Sequence, residues 1–395
     1  MVFNLYELFQ NWLDSHGLGF FRVLSYVSFR AIAAIILSFL IVIVIARPTI
    51  RWLIKQKIGD NPQFYHEDLN QIMKQKTNTP TMGGIMISLS ILISTLLLAD
   101  LGSFYVIMAL LCIVWLSILG MIDDWLKLTS ARRSIGSREG LKFWEKFVCQ
   151  VALAVVLGIF IHHHGIHKIE PQAQEIRDMS HSLTLPFSKS WTFDGERYVS
   201  NVIVLGTWQF LLLAVIVIAG SSNAVNLTDG MDGLATGIAA ICAAAFLALA
   251  FIAGDSAIAK PLLVPFIPLS GELAVVAGAM VGSCLGFLWF NCNPAQVFMG
   301  DIGSLTLGGL LGYIAVVIRQ EFLLFIIGGI FVTETLSVML QIGYFRLTGG
   351  GRLFKCAPIH HHFHLVGWTE QQVVVRFWLL SAIFAVVALG SLKLR

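Results

Sequence analysis

Charge is what this chain of 395 residues has little of: Asp, Glu, Lys and Arg make up 12% of it against 57% hydrophobic residues, where a soluble domain carries about 25% charge. That balance excludes a water-soluble fold. No two cysteines stand at C-x-x-C spacing, and Cys112, Cys149, Cys242 and Cys284 lie inside apolar runs, where a thiol behaves as a small hydrophobe. The cysteines indicate neither a disulfide framework nor a zinc site. There is no run of like charge, and a formal net charge of +3 spread over scattered basic residues gives nucleic acid nothing to grip. The N-terminus lacks the basic stretch of a cleaved signal. Leu5, Leu8, Phe9, Trp12 and Leu13 instead recur at helical spacing between Glu7, Asn11 and Asp14, which predicts an interfacial helix within residues 1–22.

What the chain does have is long hydrophobic runs, with a mean hydropathy of +0.80. Backbone amides cannot go unpaired in lipid, and a barrel would show short alternating strands, so these runs are expected to be helices. The fold class is all-α and polytopic, a single integral membrane domain over residues 1–395. About ten spans are expected, with cores at Phe29–Ala46, Gly83–Ala99, Phe104–Ile122, Phe147–Ile161, Val202–Gly220, Leu234–Ala253, Leu273–Phe290, Leu305–Ile318, Phe322–Leu340 and Val373–Leu392. The loops after odd-numbered spans hold 14 Lys and Arg against 5 in the opposite short loops and ends. By the positive-inside rule both termini lie outside. Residues 162–201 then form a long extracytoplasmic loop, with a small hairpin around Trp191 and the Asp194-Gly195 turn. The histidines His162, His163, His164 and His167 are read as exposed parts of that loop, and residues 343–372 form a cytoplasmic loop.

The polar clusters share a parity, since nearly all follow odd-numbered spans. Five loops therefore converge on one cytoplasmic cleft. Asp123 and Asp124 end the third span with Lys127 on the same helical face; adjacent carboxylates at a membrane boundary are costly unless a cation or a substrate proton uses them, although a solvated helix end would look the same. In N-A-V-N-L-T-D-G-M-D-G-L, Asn226, Asp229 and Asp232 offer oxygen ligands suited to magnesium, and Gly230 permits close backbone approach. A plain polar turn would need fewer such residues. Asn291 through Ser304 includes Phe298, placed to stack on a base or simply to be buried, and Asp301 at a helix start, where the free amides already favour an anion. Asp301 is thus read as bringing a divalent cation. In A-P-I-H-H-H, consecutive histidines cannot all face one metal without backbone distortion, so His360 and His361 are read as donors to phosphate or sugar oxygens with one proton carrier among them, a zinc site being the alternative. Lys76 ahead of T-N-T-P-T-M-G-G could anchor a phosphate. Glu334 in the ninth span is either functional or paired with Arg376, the pairing being favoured.

Taken together, T-P-T-M-G-G, D-D-W-L-K, N-A-V-N-L-T-D-G-M-D-G-L-A, F-M-G-D-I-G-S and A-P-I-H-H-H resemble, in order and spacing over nearly the whole chain, the polyprenyl-phosphate N-acetylhexosamine-1-phosphate transferase superfamily and its muramoyl-pentapeptide branch. The resemblance implies ten helices in the bacterial inner membrane, a homodimer, and magnesium-dependent transfer of phospho-MurNAc-pentapeptide from UDP-MurNAc-pentapeptide to undecaprenyl phosphate, giving lipid I and UMP. It implies that Asp123, Asp124 and Asp301 are the essential acids and that His360 and His361 form the histidine motif. Lys76, Asp229, Gly230, Asp232, Asn291 and Phe298 match the nucleotide pocket, and Thr81, Lys127, Asn226 and Gln341 join them as candidate substrate-binding residues. Asp301 and Asn226 are the expected magnesium ligands. The chain departs from the family's usual pattern at Asn78, His364 and Val366.

Phosphoryl transfer of this kind needs charge neutralisation and in-line positioning more than a strong base. A phosphate monoester is largely dianionic at pH 7, which favours direct attack, with Asp123 orienting or deprotonating the acceptor; an aspartyl phosphate intermediate is the other route. The nearest rival is a sister transferase acting on UDP-GlcNAc, against which the unbroken A-P-I-H-H-H argues. A divalent-cation transporter would hold its acids near the bilayer midplane, not on one face.

Overall fold

The computed structural model describes residues 1–56, 79–133, 140–167, 178–185, 189–193, 198–200 and 202–392. Each apolar run closes its own backbone hydrogen bonds as a helix, as a lipid environment demands. In chain order these are α1 (Val2–Ser15), α2 (Val27–Lys55), α3 (Gly84–Leu98), α4 (Phe104–Arg133), α5 (Phe143–His167), α6 (Thr207–Thr228), α7 (Leu234–Gly254), α8 (Leu273–Asn291), α9 (Gly300–Val317), α10 (Glu321–Ile327), α11 (Gly329–Leu347), α12 (Ile359–Val366) and α13 (Glu370–Ser391). The chain is an all-α polytopic membrane protein. Among the described residues eight helices are long and apolar enough to cross a membrane: α2, α4 to α9 and α13. The pair α10 and α11 makes a ninth span if counted as one, and α3, apolar but of 15 residues, is shorter.

Several boundaries differ from those the hydropathy suggests: the first run continues past Ala46 to Lys55, the fifth starts only at Thr207, with Ile203–Val204 in a strand, and continues to Thr228, and three more bear on the site or the outer face. The ninth run, expected as one helix over Phe322–Leu340, breaks at Gly328, and its two parts lie at 83°. Both halves are apolar, so hydropathy carries no trace of the turn. The third run does not stop at Ile122 but continues to Arg133, which sets Asp123 and Asp124 inside a helix. The fourth continues to His167, so the outer histidines are not loop. His162 is buried, with its ring 4.4 Å from His181 and 5.3 Å from Phe210, and His164 stacks on Phe104 at 4.1 Å. Successive helical positions point about 100° apart, so one of the three rings must turn inward.

The hairpin near Trp191 is present: β2 (Trp191–Phe193) pairs antiparallel with β3 (Tyr198–Ser200), while β1 (Ser182–Leu183) pairs with β4 (Ile203–Val204). The Asp194-Gly195 turn lies outside the described residues. Trp191 plugs the hairpin onto the bundle, donating from Nε1 to Val264 O at 2.9 Å. The expected N-terminal helix is also present as α1.

At the centre stands α9, 94% of it buried. Small residues let its neighbours come close, as between membrane helices generally. Gly303 meets Gly84 of α3 so closely that a methyl group on either would collide with the other's backbone. The segment before α3 is docked by backbone bonds: Phe298 N donates to Pro80 O at 2.8 Å, and Gly83 N and Gly84 N donate to Phe298 O and Met299 O at 2.8 and 2.7 Å. Two distant stretches thus meet at the start of α9. At the opposite end of the bundle, Arg30 of α2 and Glu272, just before α8, form a two-pronged ion pair with both distances 2.6 Å.

Candidate active site

Three carboxylates converge where α4 passes the start of α9. Each of Asp123, Asp124 and Asp301 is buried, and each offers an oxygen within 4.8 Å of the others. The two neighbours on α4 do different things. Asp124 accepts from the amides of Asp301 and Ile302 at 3.2 and 3.3 Å, capping the positive end of α9. Gly300 makes that contact possible: its φ is +72°, and a methyl group there would sit 2.6 Å from Asp124 Oδ2. Asp123 accepts from Leu141 N at 2.7 Å through Oδ1 and turns Oδ2 to the ammonium groups of Lys127 and Lys146, each at 2.7 Å. Lys127 also reaches Asp301 at 3.0 Å and Asp124 at 3.9 Å, and Lys146 reaches Asp301 at 2.7 Å. From α6, Asn226 Nδ2 donates to Asp301 Oδ1 at 3.0 Å and to Ser304 Oγ at 2.9 Å.

This donor set suits a hard divalent cation. It is all oxygen, it is buried, and three carboxylates face two ammonium groups, leaving one negative charge in excess. Asp229, in the turn after α6, feels the same excess. Burial, with Asp301 and Asp124 nearby, pushes its carboxyl up to about 8, and a bound cation would draw it back toward ionisation. Thr81 comes to the same place, its Oγ1 3.2 Å from where a methyl on Gly300 would lie.

The remaining candidates are arranged around this centre. Gly230 runs against the histidine motif, where a methyl group would lie 2.5 Å from His360 Nε2 and 3.5 Å from His361 Nε2. Both rings are buried, at 4.2 Å between centroids, whereas His362 turns away and accepts from Lys355 N at 3.1 Å. Asp232 accepts from Asn293 Nδ2 and Ala295 N, both at 3.1 Å, and its own amide donates to Glu370 at 2.9 Å. Phe298 is half-buried beside Pro80. Lys76 lies outside the described residues.

The family profile of glycosyl transferase family 4 matches residues 106–319. Relatives named phospho-N-acetylmuramoyl-pentapeptide-transferase are similar to it nearly end to end. That of Desulfotalea psychrophila is 43% identical over 95% of this chain and 96% of its own, that of Thermodesulfovibrio yellowstonii 43% over 99% and 100%, and that of Francisella philomiragia 43% over 98% of each. The chain belongs to the phospho-N-acetylmuramoyl-pentapeptide-transferase family. It is therefore a membrane transferase, and membership brings a nucleotide-sugar substrate and a lipid carrier with it.

Two candidate substrate-binding residues of this family member are engaged in holding backbone. Asn291 accepts from Gly233 N and Thr236 Oγ1 at 3.1 and 3.0 Å and donates to Val297 O at 2.9 Å, which fixes the loop ahead of α9. Gln341 Oε1 accepts from the amides of Leu353 and Phe354 at 3.1 and 2.8 Å, tying down the chain ahead of the histidine motif. The favoured pairing of Glu334 with Arg376 is not made. Glu334 lies 3.0 Å from His360 Nδ1, and Arg376 instead lies over Trp368 at 4.0 Å. Lys146 was not among the residues singled out in the sequence, because it stands at the start of an apolar run; its signal was the i, i+4 spacing from Lys142 at a helix start otherwise marked by Glu145.

Proposed function

We propose that this enzyme transfers phospho-MurNAc-pentapeptide from UDP-MurNAc-pentapeptide to undecaprenyl phosphate, giving lipid I and UMP, with magnesium as its cofactor. The observation that carries this reading is the convergence of Asp123, Asp124 and Asp301 with Lys127, Lys146 and Asn226 at one end of the bundle. Asp301 and Asn226 are the residues that would hold magnesium, with the other two carboxylates at hand. When bound, magnesium supplies positive charge for the diphosphate of the donor. Lys127 and Lys146 are flexible ammonium groups that can turn from the carboxylates to phosphoryl oxygens.

The acceptor phosphate oxygen attacks the sugar-linked phosphorus directly, the bond to the UMP oxygen breaks, and UMP leaves with that electron pair. Asp123 orients the acceptor or takes its last proton; its Oδ1 bond to Leu141 N sets the direction of Oδ2. Asp229, Gly230, Asp232, Phe298 and His361 line the nucleotide side, with Lys76 and Thr81 on the phosphates. We further infer that the site faces the cytoplasm from the bacterial inner membrane, with both termini outside, residues 162–201 extracytoplasmic, residues 343–372 cytoplasmic, and the enzyme a homodimer.

The test is purified enzyme given radiolabelled UDP-MurNAc-pentapeptide and undecaprenyl phosphate with and without magnesium. Lipid-linked label only with magnesium is expected; label transferred from UDP-GlcNAc instead would overturn the substrate assignment. A stoichiometric burst of UMP without acceptor would overturn direct attack. Cysteines placed in residues 128–140 should label only from the cytoplasm, and those in residues 170–195 only from outside.

A further inference from the structure

Glu334 is a carboxylate with no exposed surface, borne on the apolar helix α11. A charge so placed is costly unless something holds or uses it. Its Oε2 lies 3.0 Å from Nδ1 of His360 on α12, whose ring is also fully buried. The break at Gly328 gives α11 its own direction, 83° away from α10, and this brings α11 against α12. Holding two helices together would take only an apolar contact, so packing does not explain an acid and an imidazole at this point.

The other face of the ring supplies the reason. Nε2 of His360 is buried and has no hydrogen-bond partner among the described residues, and it points to Gly230, where a methyl group would stand 2.5 Å away. Gly230 follows Asp229, whose carboxyl feels Asp301 and Asp124. One ring nitrogen is therefore tied to a carboxylate while the other is aimed at the edge of the aspartate cluster.

Resting on the transferase reading above, we propose that Glu334 is a positioning residue for His360: by accepting from Nδ1–H it fixes the tautomer and the ring plane, so that Nε2, as the proton carrier of the histidine motif, faces the substrate over Asp229 and Gly230. An imidazole without such a partner rotates and shares its proton between both nitrogens. Glu334 touches no reacting atom and acts only through the ring.

The test uses the full chain in detergent with UDP-MurNAc-pentapeptide and undecaprenyl phosphate. Wild-type turnover tests the transferase reading by itself, and the variants are read as ratios to it. Glu334→Gln is isosteric and easier to bury, so it folds, but its amide can donate to Nδ1 and drive the proton onto Nε2. It is expected to lose about 100-fold in kcat, in the range for a misplaced acid–base group, with KM for the UDP-sugar and the melting temperature little changed. Glu334→Ala should show a similar loss in an otherwise wild-type chain and less than about threefold in a His360→Ala background, since coupled residues are non-additive. Full kcat in Glu334→Gln, or an equal loss from Glu334→Ala with and without His360, would overturn the proposal.

Discussion

Both ends of the helical bundle bury charge, and they do it differently. At one end, Arg30 and Glu272 meet one to one in a two-pronged pair. The spare hydrogen bonds are spent on backbone, Arg30 Nη1 on Leu98 O at 3.2 Å and Glu272 Oε2 on Asp100 N at 3.0 Å, and Phe3 lies under the guanidinium at 3.8 Å. That pair is neutral. At the other end three carboxylates share two lysines, the lysines bridge rather than pair, and negative charge is left over. In the Arg30–Glu272 pair only Arg30 Nε is left without a hydrogen-bond partner among the described residues, and the pair carries no net charge to offer a ligand. An unbalanced cluster is poor design for stability alone, and its imbalance is what a divalent cation would correct.

Four experiments would break or sharpen this contrast. The largest effect is expected from Asp301→Asn, which removes the carboxylate that both lysines and Asn226 address. Turnover should fall at least about 1,000-fold (roughly 4 kcal/mol in the barrier), with the melting temperature in detergent held or raised; turnover near normal at ordinary magnesium would remove the reason for treating the two ends differently. Next comes Arg30→Ala, which strands Glu272 in the interior and should cost about 3–5 kcal/mol of stability. The protein that remains folded should turn over at close to the normal rate, whereas replacing both partners, as Arg30→Met with Glu272→Leu, should restore most of the stability. A loss of kcat in that double variant would mean that the far end is not merely structural.

A smaller effect is expected from Lys146→Gln. Its ammonium lies among the same carboxylates that a cation would use, so removing it should tighten manganese binding a few-fold, about 1 kcal/mol, as read by paramagnetic line broadening without substrate. Weaker binding would show that Lys146 organises the cluster and does not compete with the metal. The smallest concerns pH. Asp229, pushed up to about 8 in the metal-free protein, binds its proton more tightly folded than unfolded, so its contribution is present at low pH and is lost as pH rises toward about 8. The melting temperature without metal should therefore decline over this interval, and the rise in melting temperature on adding magnesium should grow with pH. A magnesium effect independent of pH would show that Asp229 does not feel the cation.

How far the sequence was legible follows from what each signal measures. Hydropathy measures transfer into lipid, so it found the apolar runs, but it has no direction and passed over the turn at Gly328 and the extra turns of α4 beyond Ile122. Spacing on one helix placed Lys127 with Asp123. It could not place Lys146, which arrives from another helix. Polar candidate residues look alike in sequence whether they face a ligand or brace a loop, and Asn291 and Gln341 are engaged with neighbouring backbone. Glu334 stood out as a lone acid in an apolar run, yet its partner depends on which way α11 turns after the break, a property of tertiary packing alone.

The two lysines also bear on how the protein is made. Because Lys127 and Lys146 already neutralise most of the charge on the aspartates, the helices that carry those aspartates can come together during membrane insertion without waiting for an ion. A site built from bare carboxylates would depend on its metal to fold. The folded chain carries its own counter-charge, so with magnesium as the proposed cofactor a fall in the free ion should idle the enzyme without sending it to the proteases.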